Sequence, residues 1–271
     1  MENSELLQFK KDGYYLYRNF LDINEIQIIL DEAKAIFINQ LYYKNIIDCK
    51  EISNEEFEKA IVKLFTNFFQ LYANCGKQVQ HLISLHRLSL NNKIYQKLNL
   101  LGQDFPVIST RPVLYFNKAK LAKTEEFYKV PPHQDWRSMQ GSINSLVVWV
   151  PLIDINEELG ALRVVPKSHK SGLLESQENN WFREINNLNE KDFISIEVKK
   201  GDALFFSSFL VHSSGNNLLD KIRWSCHFRY NDLAEESFIE RGYVHPYIYK
   251  PIQELITPSF PTIDQIKKSF L

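Results

Sequence analysis

A change of hydrophobic period near Gly102 constrains the fold of this chain more than any other feature. Before it, apolar residues recur at helical spacing. Asp22 and Glu25 form a capping-box pattern ahead of Ile26, Ile29, Leu30, Ala33 and Phe37. Ser53 and Glu56 repeat that signal ahead of Phe57, Ile61, Leu64, Phe65 and Phe68. A third helical stretch is expected over about 78–100. After Gly102 the apolar runs are short and divided by turn residues, at 107–116, 145–152, 161–165, 193–198, 203–206 and 222–230. Such runs predict a sandwich or barrel. No repeat or Gly/Ser-rich linker divides the chain, so a single domain over 1–271 is expected. Its class is α+β, with a double-stranded β-helix (jelly-roll) core over about 103–231 and a helical layer over about 1–102 packed on it. Pro246, Pro251, Pro258 and Pro261 suggest that the tail, about 232–271, wraps on the surface.

Composition excludes several classes of function. At 44% hydrophobic and 24% charged residues, the chain is too apolar for disorder and can bury a core. Its 32 basic and 33 acidic residues nearly cancel and are interspersed, so no broad field points to nucleic acid or an anionic membrane. No apolar run reaches the ~18 residues needed to span a bilayer. The opening MENSELLQFKKDG lacks the basic start and apolar stretch of a secretory signal. Cys49, Cys75 and Cys226, odd in number and widely spaced, argue against a disulfide framework and for a reducing compartment. The expectation is a cytoplasmic protein acting on a small molecule, with neither nucleic acid nor membrane as partner. The oligomeric state is left open.

The chemistry gathers around Pro131-Pro132-His133-Gln134-Asp135-Trp136. In an extended segment His133 and Asp135 project to one side while Gln134 points away. An imidazole beside a carboxylate supplies two ligands of the facial triad that holds non-haem Fe(II) and leaves open positions. A third ligand must come from elsewhere, and His212, opening the loop 212–217 after the apolar run 203–206, is the best candidate. Arg223 follows in the apolar run 222–228, where an unpaired guanidinium would be costly. It needs an anion, either a bound carboxylate held by its fork or a structural acidic side chain. Ser225 shares strand parity with Arg223 and can assist it.

The order His133-Gln134-Asp135, then His212-x-x-Gly215-x-Asn217, then Arg223 resembles the phytanoyl-CoA dioxygenase family of Fe(II)/2-oxoglutarate oxygenases. The likeness extends to the opening from Phe9 through Gly13 to Leu21, to the run 145–152, and to Gly160 through Pro166 to Lys170. Matching order covers most of residues 9–230. The resemblance implies that His133, Asp135 and His212 ligate iron and that Arg223 meets the distal carboxylate of 2-oxoglutarate. It places Trp149 beside that co-substrate and Asn117 on the preceding strand as a polar contact to it. Three protein ligands leave three octahedral positions, two for 2-oxoglutarate and the last for O2. The implied outcome is succinate, CO2 and a hydroxylated or desaturated small molecule, such as a biosynthetic intermediate. Halogenating relatives carry a small residue where Asp135 stands, so halogenation is not implied.

Two other readings stay open at this stage: a non-catalytic jelly-roll binding protein and a zinc hydrolase using the same three ligands. His169 and His227 are expected to be structural, and His81 and His86 to be packing or surface residues. The Lys-rich segment 118–130 is long for a connection, which suggests a lid whose Phe127 and Tyr128 close on substrate while its lysines meet an anionic group.

Overall fold

In the computed structural model, which describes residues 4–123, 129–179 and 182–240, the helical periods become a layer of short helices. Helix α1 (Ser4–Asp12) turns at Gly13 into strand β1 (Tyr14–Tyr17). Gly13 sits at φ +86°, and a side chain there would collide with His169 and Leu210. Helix α2 (Ile23–Tyr43) begins at Asp22, whose carboxylate accepts from Asn24 N at 2.8 Å. The expected capping box does not form, because Asp22 reaches Asn24 rather than Glu25 and Glu25 accepts instead from Asn91 Nδ2 at 3.1 Å. Helix α3 (Asn54–Asn67) has the complete box: Ser53 Oγ accepts from Glu56 N at 3.2 Å, and Glu56 Oε2 accepts from Ser53 N at 2.8 Å. Phe68, expected on the buried stripe, is the exposed break before α4 (Phe69–Gln78). The stretch 78–100 is not one helix. A 3₁₀ turn (Val79–His81), α5 (Ile83–Ser89) and α6 (Asn92–Leu100) are separated by extended backbone at Leu82 and Asn91, and Asn91 caps α6 through Lys93 N.

The short apolar runs become strands β2 (Pro106–Asn117), β3 (Leu146–Pro151) and β4 (Leu162–Val164), with helix α7 (Trp136–Met139) between β2 and β3. A hairpin of β5 (Gln177–Asn179) and β6 (Phe182–Glu184) follows, then β7 (Ile194–Ile196), β8 (Ala203–Ser207), β9 (His212–Ser214), β10 (Arg223–Asp232) and helix α8 (Glu236–Glu240). They form a five-stranded antiparallel sheet, ordered β1-β8-β3-β10-β2, and a facing three-stranded sheet, ordered β7-β4-β9. The first hundred residues are therefore not purely helical, since β1 pairs with β8 at the sheet edge. His212 does not open a loop either; it begins β9, opposite Val164 of β4.

Alternation explains why β3 reads as continuously apolar. Leu146, Val148 and Val150 pack with the helices, whereas Val147 and Trp149 point between the sheets with Leu162 and Val164. Burying both faces removes the usual polar alternation. Among the described residues no helix is long and apolar enough to cross a membrane, and all three cysteines are free. The proline-bearing tail 241–271 and residues 124–128, with Phe127 and Tyr128, lie outside the described residues. The start of the expected lid is anchored. Lys118 is buried and paired with Glu58 and Asp220, so its ammonium is not left for a substrate anion, whereas Lys120 pairs with Asp220 at the exposed surface.

Candidate metal and co-substrate site

Two backbone hydrogen bonds, His133 N to His212 O at 3.0 Å and His212 N to His133 O at 3.1 Å, tie the metal loop to β9. His133 Nδ1 lies 2.8 Å from the carbonyl of Pro131, and His212 Nδ1 lies 3.0 Å from that of Leu210. A carbonyl only accepts, so each Nδ1 carries the proton and each Nε2 presents a lone pair. Those lone pairs face Asp135, with His133 Nε2 3.9 Å from Oδ1 and His212 Nε2 3.8 Å from Oδ2. The three donor atoms lie within 4.8 Å of one another, so a small inward movement brings all three to bonds of ~2.1 Å on one ion.

The extended geometry expected for the His-Gln-Asp segment holds only in part. Asp135 has helical backbone angles and leads into α7, and its carboxylate converges with His133 from that turn. Gln134 does point away: Nε2 donates to the carbonyls of Gly172 and Phe209, Oε1 accepts from Leu174 N, and the loop is thereby locked.

Asp135 Oδ1 accepts from Arg229 Nη2 at 2.9 Å, while its buried Oδ2 has no hydrogen-bond partner. A buried carboxylate oxygen left unpaired is costly, and a cation between the imidazoles satisfies it. Burial opposes the charge on Asp135, but the guanidinium of Arg229, with His212 and His133, outweighs burial and holds the carboxyl well below its usual range. Burial, with His133 alongside, pulls His212 down to about 4. Burial also lowers His133, against the opposing pull of Asp135. Both imidazoles are thus neutral near pH 7, the form a metal ligand requires. The residues present fit a divalent metal.

A cavity of about 140 Å³ opens onto these ligands. Its floor is the inner face of β10, carrying Arg223, Ser225, His227 and Arg229, with Trp149 from β3 and Tyr115 from β2. Pairing opposes Ser225 to Tyr115 and His227 to Trp149, which sets these side chains on one face. Arg223 is 4% exposed, and burial draws its guanidinium down to about 10. Its Nη1 donates to the carbonyl of Gly160, its Nε has no partner, and no carboxylate among the described residues pairs with it. Gly160, at φ +82°, allows that approach; a Cβ there would meet Gly215 O at 2.8 Å.

With this geometry in place, comparison with known proteins decides the family. Residues 9–225 match the phytanoyl-CoA dioxygenase (PhyH) family. The chain belongs to that family. It is accordingly a 2-oxoglutarate-dependent non-haem iron oxygenase, with His133, Asp135 and His212 as its facial triad and Fe and 2-oxoglutarate as cofactor and co-substrate. A phytanoyl-CoA dioxygenase domain-containing protein 1 homolog of Dictyostelium discoideum is 25% identical, over 84% of this chain and 91% of its own length. Among solved structures, the carbocyclase SnoK from nogalamycin biosynthesis aligns over 92% of this chain and 94% of its own, with TM-score 0.55 and 15% identity. The epimerase SnoN, in complex with Fe3+, alpha ketoglutarate and nogalamycin RO, aligns over 84% of this chain and 82% of its own, with TM-score 0.55 and 19% identity. At those identities the two structures speak for the fold.

For this oxygenase, the structure brings His133, Asp135, His212, Arg223, Ser225 and Trp149 to one cavity. Asn117 is different. It is buried opposite Arg223 but lies outside the cavity wall, and its carbonyl accepts from Asn217 Nδ2 at 3.3 Å. Sequence reasoning missed Tyr115 and Arg229 and placed His227 among structural residues, yet all three line the cavity. The signal was available in the odd-numbered positions of β10, which continue the parity that joins Arg223 to Ser225.

Proposed function

We propose that this oxygenase hydroxylates or desaturates a small-molecule biosynthetic intermediate. In the hydroxylating form, 2-oxoglutarate, O2 and R–H yield succinate, CO2 and R–OH. The observation that carries the reading is the buried, carboxylate-free guanidinium of Arg223 on the wall of the triad's cavity. A fork donor at the end of a small closed site suits the distal carboxylate of 2-oxoglutarate. Ser225 adds a hydroxyl beside it and Trp149 forms an apolar wall beside the co-substrate, while Asn117, outside the cavity wall, supports only the backbone opposite Arg223. His133, Asp135 and His212 would hold the metal, and the rest of the cavity would be left to co-substrate and O2. Iron(II) bound there would relay to O2 the electrons released by oxidative decarboxylation of 2-oxoglutarate and by oxidation of a C–H bond. The chain contributes orientation and exclusion of water, since Trp149, Leu162 and Phe206 shield the ligands.

A zinc hydrolase would need a general base near the metal, and burial holds His227 on the cavity wall well below its usual range, which makes it a poor one. Asp135 is the one acidic residue lining the cavity among the described residues, and its Oδ1 is already held by Arg229. A non-catalytic binding protein is disfavoured by a complete ligand set. The test is succinate release from 2-oxoglutarate, dependent on Fe(II) and O2, in wild type and Arg223→Met. Loss of a buried charged partner costs ~2–5 kcal/mol, so the variant should raise KM for 2-oxoglutarate ~30-fold or more. An unchanged KM with a lowered melting temperature would make Arg223 a structural residue and defeat the proposal.

A further inference from the structure

We propose that Arg229 is a positioning residue that makes Asp135 a one-oxygen ligand and so keeps a coordination position open for O2; this rests on the iron-oxygenase reading above. A carboxylate can offer one oxygen or both to a metal. With two imidazoles, one carboxylate oxygen and two oxygens of 2-oxoglutarate, five of six octahedral positions are filled and one stays free. If Asp135 chelated with both oxygens, none would remain. The protein therefore needs a device that occupies one oxygen and spares the other.

Arg229 has the geometry of that device. Its Nη2 donates to Asp135 Oδ1 at 2.9 Å, and Oδ2, 3.8 Å from His212 Nε2, is the oxygen left without a partner. The contact is shielded, with the two side chains 14% and 3% exposed, so water does not compete for Oδ1 as it would at the surface. Among the described residues Arg229 Nε has no partner of its own, and Asp135 is the single acidic side chain paired with this guanidinium. Its aim comes from the strand. The register of β10 against β2 shifts between His227 and Arg229, while its register against β3 runs unbroken from Ser225 opposite Pro151 to Arg229 opposite Val147. The extra residues of that irregularity lie on β2, so β10 itself stays regular, and its alternation carries Arg229 to the same inner face as Ser225 and His227. Arg229 also differs from Arg223 on the same face: among the described residues Arg223 has no acidic partner and is left for a ligand, whereas Arg229 is committed to a metal-binding residue.

The test is anaerobic and needs no substrate. Wild type, Arg229→Met and Arg229→Lys are loaded with Fe(II) and 2-oxoglutarate. The visible charge-transfer band of the Fe(II)–2-oxoglutarate complex is recorded, and nitric oxide is titrated as an O2 surrogate by electron paramagnetic resonance. Arg229→Met should retain one iron per chain, show a shifted band and bind nitric oxide at least ~10-fold more weakly, the size of one lost charged hydrogen bond. Arg229→Lys, which restores a cation next to Oδ1, should recover most of that affinity, and it carries the test if the Met variant fails to fold. Wild-type nitric oxide affinity and an unshifted band in folded Arg229→Met overturn the inference, as does a folded Arg229→Lys that shows no recovery. A wild-type chain with no charge-transfer band would fail the iron-oxygenase reading instead, which separates the two outcomes.

Discussion

Strand β10 presents Trp224, Cys226, Phe228 and Tyr230 to the helices and Arg223, Ser225, His227 and Arg229 to the facing sheet. Both faces are largely removed from bulk water, but for opposite physical reasons. The outer face gains from removing apolar surface from water, at ~25 cal/mol per Å². Trp224 stacks on Phe116 at 5.2 Å between ring centroids and Phe116 meets Phe37 at 5.2 Å, so the sheet and α2 share one aromatic cluster. The inner face loses by burial, because two guanidiniums and an imidazole give up hydration without full compensation inside the chain. The lesson is that the outer residues hold the fold together, whereas the inner ones make sense only with a metal and an anion bound.

The largest break in that comparison comes from removing a metal ligand. His212→Ala should abolish Fe(II) binding and succinate release while the chain stays folded; His133→Ala and Asp135→Ala should do the same. Equilibrium dialysis with metal analysis checks this, and tight iron binding retained in any two of the three would contradict it. Next in size is the opposite face. Phe228→Ala should cost ~3–5 kcal/mol of unfolding free energy, while KM for 2-oxoglutarate in the surviving folded fraction stays within about twofold of wild type. Denaturant unfolding together with steady-state kinetics reads both quantities, and a large KM change at little stability cost would blur the distinction between the faces.

Acid should unfold the metal-free chain through the inner face. His212 is held at about 4 when folded, against an ordinary 6.5, so the unfolded chain binds the proton first as pH falls. The stability this neutral imidazole confers is fully present above 6.5 and is lost as pH falls from 6.5 through about 4. The loss is roughly 3 kcal/mol by the spread between those values. His133 and His227, also lowered, act in the same direction. Asp135, held below 3.8, adds its own loss at still lower pH. Melting of the iron-free chain between pH 7 and 4.5 should show falling stability, with a shallower fall in His212→Ala; a flat or rising profile would be inconsistent. The smallest effect expected is that of Ser225→Ala, which removes a neutral hydroxyl worth ~1 kcal/mol and should raise KM for 2-oxoglutarate about fivefold. An unchanged KM would leave Arg223 to hold the carboxylate alone.

Much of this was legible in the sequence, and what was not has physical causes. The stripe Ile26, Ile29, Leu30, Ala33 and Phe37 is buried throughout, because helical spacing directly reports a face. The short runs after Gly102 marked six of the eight strands in the two facing sheets, β9 having been read as a loop, and the order His133, Asp135, His212, Arg223 pointed to the family. Strand β1 was hidden because four residues between two helices carry too little alternation to register, and its burial is supplied by β8. The break-up of 78–100 depended on extended backbone at Leu82 and Asn91, which apolar periodicity does not encode. Arg229 and His227 were missed although their parity matched that of Arg223, because their role comes from what lies across the cavity: Asp135, brought there by the loop that Gln134 locks.

The most direct measurement is an anaerobic titration of the wild-type chain, first with Fe(II) and then with 2-oxoglutarate, followed by metal analysis and visible absorption. The triad and the guanidinium of Arg223, without a carboxylate partner among the described residues, predict one Fe(II) per chain and a charge-transfer band that saturates with 2-oxoglutarate, its midpoint moved ~30-fold or more higher in Arg223→Met. Iron that binds without any 2-oxoglutarate-dependent band, or a midpoint indifferent to Arg223, would contradict it.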